Sequence, residues 1–104
     1  MNDRTLLERA AKASGIVGEY ECWAGQGFME GIRRKGDPKE FKIWNPLMYD
    51  DQAHRLESDL RLNVKWGNGS VTVGSATERY SHGDDPAKVK RRAIVRAAAE
   101  IGGE

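Results

Sequence analysis

Asn68-Gly69 sits between two short segments with alternating apolar residues, Val64-Lys65-Trp66-Gly67 and Ser70-Val71-Thr72-Val73. An Asn-Gly pair in this setting is a strong signal for a two-residue β-hairpin, and it predicts a type I′ turn. Closing that turn pairs Gly67 with Ser70, Trp66 with Val71, Lys65 with Thr72 and Val64 with Val73. Both apolar pairs then fall on one sheet face and the polar pair on the other. A slip of one residue would reverse every side chain, so turn chemistry and hydrophobic pattern select the same register. Trp66 is expected to pack under the helices. Gly74-Ser75 is expected to turn the chain into a third strand, Thr77 to Tyr80.

Three helical patterns surround this antiparallel unit. The first runs from Asp3 to Ser14, with Leu6, Leu7, Ala10, Ala13 and Ser14 on one side of the wheel and Glu8, Arg9 and Lys12 on the other. Asn2 or Asp3 can cap it, Thr5 with Glu8 offers an alternative capping box, and Gly15 can end it in the left-handed conformation. The second runs from Asp51 to Arg61, with Asp50 or Asp51 as cap and Ala53, Leu56 and Leu60 on one face. The third starts after Asp84 or Asp85, with Pro86 in the favoured first position. Its apolar stripe is Ala87, Ile94, Ala97, Ala98 and Ile101, and Gly102-Gly103 ends it.

The stretch 16–38 is harder to place. Glu19-Tyr20-Glu21-Cys22 alternates as a short strand would. Beyond it, Gly25, Gly27, Gly31, Gly36 and Asp37-Pro38 break periodicity, and a long irregular insertion is expected, carrying the basic triplet Arg33-Arg34-Lys35. Glu40-Phe41-Lys42-Ile43-Trp44 alternates again as a strand, which Pro46 stops. Helices flanking a small antiparallel sheet define an α+β layered domain, expected as a single unit over residues 1–104.

At 104 residues, a single core without metal or disulfide is feasible. Seventeen basic and sixteen acidic residues leave a net charge of +1, which gives no global attraction to nucleic acid or to an anionic membrane. Cys22 is the single cysteine, so no intramolecular disulfide can form and a reducing cytosol fits best. Neither a signal peptide nor a membrane span is expected.

Several stretches carry a family resemblance. These are Trp44-Asn45-Pro46-Leu47, the acidic helix start Asp50-Asp51, the Arg55-Leu56 helix running into Leu62-Asn63-Val64-Lys65, and the run from Arg91 to Gly102. Together they resemble small phage and prophage proteins with a "phage ABA sandwich" domain, akin to the NinX-type proteins of lambdoid phages. After Leu47 such proteins generally carry a Thr-Asp-Asp-Gly-Asp-like run, where this chain has Met48-Tyr49-Asp50-Asp51-Gln52. The resemblance implies an α-β-α fold, a phage or prophage origin and a host-cytoplasmic setting. It implies no activity.

The chemistry is sparse. A phosphate-binding loop, paired zinc cysteines, HExxH and GxSxG are all absent from the sequence. Asp50, Asp51, Asp84 and Asp85 read as helix-start residues, and His54 and His82 as surface residues, so no metal or cofactor is expected. Cys22 reads as a half-buried strand residue. Trp66 reads as core, and Trp44 is the better candidate for a rim position.

Two surfaces remain. The turn Trp44, Asn45, Pro46, Tyr49, Asp50, Asp51 exceeds what a simple connection needs, and it is the preferred candidate for contact with a host or phage protein or a second copy of the chain. Lys88, Arg92 and Arg96 repeat every four residues, with Arg91 adjacent. Their plain reading is a solvated helix face. The alternative is a weak nucleic-acid contact surface, extended by Arg33, Arg34 and Lys35.

Overall fold

The computed structural model describes residues 2–25, 27–35, 43–81 and 83–103. Its elements are α1 (Asp3–Ala13), β1 (Gly18–Gly25), β2 (Gly27–Arg34), α2 (Asp50–Asp59), β3 (Val64–Gly67), β4 (Ser70–Val73), β5 (Ala76–Arg79) and α3 (Pro86–Gly102). The chain is therefore α+β, with three helices packed on two small antiparallel sheets. One sheet is the hairpin β1-β2 and the other the meander β3-β4-β5.

The meander has the register that the alternation demands: Trp66 opposite Val71 and Val64 opposite Val73. The turn type differs. Gly69 has φ +77°, but Asn68 stays in the ordinary negative-φ range. A type I′ turn needs positive φ at both central residues, whereas one left-handed residue in the second central position is the type II pattern. Gly74, with φ +57°, opens the next turn and brings Val73 opposite Ala76.

The described residues 18–25 and 27–34 are not an irregular insertion, and 36–38 lie outside the described residues. β1 and β2 pair along their whole length, with Gly18 opposite Arg34, Tyr20 opposite Ile32 and Cys22 opposite Glu30. Glycine density hid β2, because Gly27 and Gly31 remove the apolar alternation that marks a strand. Gly31 is needed where it stands. It has φ +153°, and a Cβ there would lie 2.6 Å from the carbonyl oxygen of Trp44. The strand expected over 40–44 falls mostly outside the described residues. Its described end forms one bridge, Ile32 with Trp44.

Local chemistry sets the helix ends. Asn2 caps α1 by accepting from the Thr5 amide at 2.8 Å. Gly15 and Ile16 donate to the carbonyls of Lys12 and Ala11, the two bonds of a Schellman motif. The same pair of bonds ends α2, from Arg61 to Ser58 and from Leu62 to Glu57, with Arg61 held at φ +53°. Asp85 caps α3 through the Ala87 amide at 3.0 Å, with Pro86 next. α2 departs from expectation, since it starts at Asp50 after Tyr49 and has no side-chain cap. The Asp50 carboxylate is engaged elsewhere, 2.6 Å from Nη1 of Arg91.

α3 is the central element. It packs against α1, α2, β4 and β5, while the β1-β2 hairpin packs on α1. Ala93, Ile94, Val95, Ala97, Ala98, Ala99 and Gly102 are all buried, so the helix is covered on several sides rather than along one stripe. Ala87 is half-buried and Ile101 is 55% exposed, so the expected stripe fails at its ends. α1 buries Leu6, Leu7, Ala10 and Ala11. Asp3 meets Arg92 while Arg9 meets Gly102, so α1 and α3 run in the same direction. Gly102 is a packing residue as well as a terminator, because a Cβ there would overlap the carbonyl oxygen of Arg9.

One pH-dependent contact lies on the hairpin. Tyr20 donates its phenol hydrogen to the Glu30 carboxylate, and the Arg4 guanidinium stands 5.1 Å from its ring centre. The bond to Glu30 raises the Tyr20 phenol well above its ordinary value of about 10, with burial adding to the shift, because ionisation would set two anions side by side. A phenol raised by folding contributes stability that is complete below the unfolded value, and that is lost as pH rises through the folded one. Denaturant unfolding between about pH 8 and pH 11 should show a decline above about pH 10. Tyr20→Phe should flatten that decline. An unchanged slope would refute the assignment.

Candidate functional site

The segment 43–47 is an internal joint. Ile43, Trp44, Asn45 and Pro46 are all buried. Trp44 is only 5% exposed and exchanges both backbone hydrogen bonds with Ile32 of β2, at 2.8 and 3.0 Å. Asn45 donates from Nδ2 to the Glu30 carbonyl at 2.8 Å and accepts from the Leu47 amide at 3.0 Å. The second bond is the Asx turn expected before a proline. From α2, Gln52 accepts from the Asn45 amide and donates to the Ile43 carbonyl. Arg91 of α3 closes the joint, donating from Nε to the Leu47 carbonyl at 2.9 Å and from Nη1 to Asp50. One turn thereby ties β2, α2 and α3 together.

This corrects the preferred contact surface. Trp44, Asn45 and Pro46 are satisfied internally and present nothing to a partner, and Trp44 is core rather than rim. Tyr49 is half-buried, while Asp50 and Asp51 are exposed at the start of α2. The extra content of the motif is explained by the joint it makes. Gln52 and Arg91 are the partners that sequence reasoning missed. Neither position has a local signal, since each meets the turn only in three dimensions.

The basic face of α3 is also committed. Arg92 pairs with Asp3 at 3.2 Å and with Glu78 at 3.6 Å, and Arg96 pairs with Glu78 at 2.8 Å. Arg96 also donates to the Thr77 carbonyl at 3.2 Å. It is therefore not a merely solvated face, and the i,i+4 repulsion between Arg92 and Arg96 is offset by a shared carboxylate. Lys88 is exposed. Arg33 pairs with Glu21 at 2.7 Å. Among the described residues β2 makes no contact with α3, so Arg33, Arg34 and Lys35 do not extend the α3 face. Glu78 was legible in principle. Alternation along β5 puts it on the inner face with Ala76, where a carboxylate calls for a cation.

Cys22 is exposed rather than half-buried, and His54 is exposed as its wheel position requires. His82 lies outside the described residues. Among the described residues no three His, Cys, Asp or Glu side chains are placed to hold a metal ion, and no helix is long and apolar enough to cross a membrane.

The large apolar side chains that reach solvent among the described residues are Val17, Met48, Trp66 and Ile101, and Trp66 is the aromatic one. Trp66 is 51% exposed, although its partner Val71 is completely buried. The cause is the strand order: α3 covers β4 and β5, while β3 is an edge strand that, among the described elements, contacts only β4. Trp66 and Tyr80 meet edge to face, with ring centres 6.0 Å apart. The opposite sheet face is exposed at Lys65, Thr77 and Arg79 and carries no carboxylate. Compared with known proteins, the chain matches no family model, no curated protein and no solved structure.

Proposed function

We propose that this chain is a non-enzymatic phage or prophage accessory protein, working in the host cytoplasm through protein–protein contact, and that β3 is its contact strand. The observation that carries the reading is the β3 edge of the meander, which pairs with no further strand among the described residues and carries the half-exposed Trp66. An edge strand offers a row of unpaired backbone donors and acceptors, and an extended partner segment can add to it as a further strand. Side-chain chemistry selects the occupant. The partner's inward residues would meet Trp66, and its outward residues would meet Lys65. That calls for a segment alternating apolar and acidic residues. A second copy suits the edge less well in the register centred on Lys65, where antiparallel self-pairing sets Lys65 against Lys65. The nucleic-acid reading has less support, since a net charge of +1 gives little long-range attraction to a polyanion.

A peptide alternating valine and glutamate, titrated into isotope-labelled protein, should shift the amide signals of Val64 to Gly67. Lys65→Glu should reverse the preference toward a valine–lysine peptide. Shifts centred on α3, or no reversal of preference, would overturn the reading.

A further inference from the structure

A groove of roughly 480 Å³ runs between α1 and α3 and is closed on one side by β5. Leu6 and Ala99 form its apolar floor, and three guanidinium groups, Arg9, Arg92 and Arg96, surround it. We propose that this groove binds a terminal phosphate group, the dianion of a small phosphate monoester, through Arg9, Arg92 and Arg96.

Three features support this. Guanidinium presents planar, forked donors that match phosphate oxygens, and one arginine offers five N–H groups. The internal contacts use few of these. Arg92 commits Nη1 to Asp3 and Nε to Glu78, and Arg96 commits Nη1 to Thr77 and Glu78. Glu78 holds both side chains through one oxygen, Oε1, and so orders them before any ligand arrives. Arg9 brings the additional charge: no carboxylate among the described residues pairs with it. The other acid lining the groove, Glu100, accepts from the Ser75 hydroxyl at the β4–β5 turn. The apolar floor strengthens each contact by keeping water from one side of it.

Glu78 acts as an internal rival of the ligand. It occupies donors that a phosphate would use, and it lowers the local positive potential. Removing its charge has opposite consequences for folding and for binding, and a purely structural ion-pair cluster would not produce that signature.

The test is titration of inorganic phosphate, of a phosphate monoester and of a single-stranded oligonucleotide, followed by the arginine Nε–H signals in nuclear magnetic resonance. The monoester and inorganic phosphate are expected to shift Arg9, Arg92 and Arg96 together, saturating at millimolar concentration, with chloride at equal ionic strength giving no saturating shift. Arg9→Gln should weaken phosphate binding about tenfold with little change in melting temperature. Glu78→Gln should lower the melting temperature yet tighten phosphate binding in the fraction that remains folded. Response to the oligonucleotide but not to the monoester would assign the phosphate to a nucleic-acid backbone and overturn the monoester. Equal response to chloride and phosphate, or unchanged affinity in Arg9→Gln, would overturn the site.

Discussion

Replacing Asn45 with alanine is expected to remove roughly 2–4 kcal/mol of folding stability, although the residue lies in a turn between elements. The side chain is buried and makes two hydrogen bonds, and the change strands the Glu30 carbonyl and the Leu47 amide without partners. Each orphaned group costs about 1–3 kcal/mol. In a domain of this size that corresponds to a fall of roughly 10–25 °C in melting temperature. Asn45→Asp retains the acceptor for Leu47 but points a carboxylate at the Glu30 carbonyl, so it should be at least as damaging at neutral pH. A melt showing less than about 1 kcal/mol of loss for Asn45→Ala would mean that the joint is not satisfied as described. Because the side chain is internal, the variant should bind any β3 partner normally per folded molecule.

Gly102→Ala is expected to destabilise the fold by roughly 1–3 kcal/mol, the usual range for forcing extra volume into a packed interface. Helix propensity argues the other way, since alanine is better than glycine in a helix by about 1 kcal/mol. Packing decides the sign. A Cβ on Gly102 would overlap the Arg9 carbonyl oxygen and stand 2.9 Å from the Ala13 amide nitrogen. Those are backbone atoms of α1, and they can move only if the helices separate. Gly103 is the control: a Cβ there would lie 3.0 Å from the Ala99 carbonyl and 3.3 Å from the flexible Arg9 side chain, and its φ is an ordinary −83°. Gly103→Ala should therefore change stability by less than about 0.5 kcal/mol. Denaturant melts of the two variants give the comparison, and equal effects would refute the close approach of α1 and α3.

The two glycines also show how local and tertiary information divide. Both read from sequence as one helix-ending pair. One is a neutral cap, and the other is the point where two backbones meet. No local pattern separates them, because the difference depends on what another helix places alongside. The same holds for the turn at Trp44. The unusual residues were visible, but the partners that explain them are Glu30, Gln52 and Arg91, each on another element.

The amino-acid sequence by itself determined whatever depends on neighbours a few residues away. It marked three helices, a cap at Asn2 or Asp3 and another at Asp84 or Asp85, the left-handed exit at Gly15 and the register of Val64 to Val73. Helical and strand periodicities, capping and turn chemistry are short-range, so they can be read without the fold. Tertiary structure alone decided which faces are covered. Trp66 shares a face with buried Val71, yet it stands half in solvent because α3 stops at β4. Trp44 is buried because β2 pairs with it. The arginines of α3 looked like an open basic stripe until β5 and α1 brought Glu78 and Asp3 against them. Burial and charge pairing depend on elements distant in the chain, and the interaction surface proposed for this protein follows from those long-range placements.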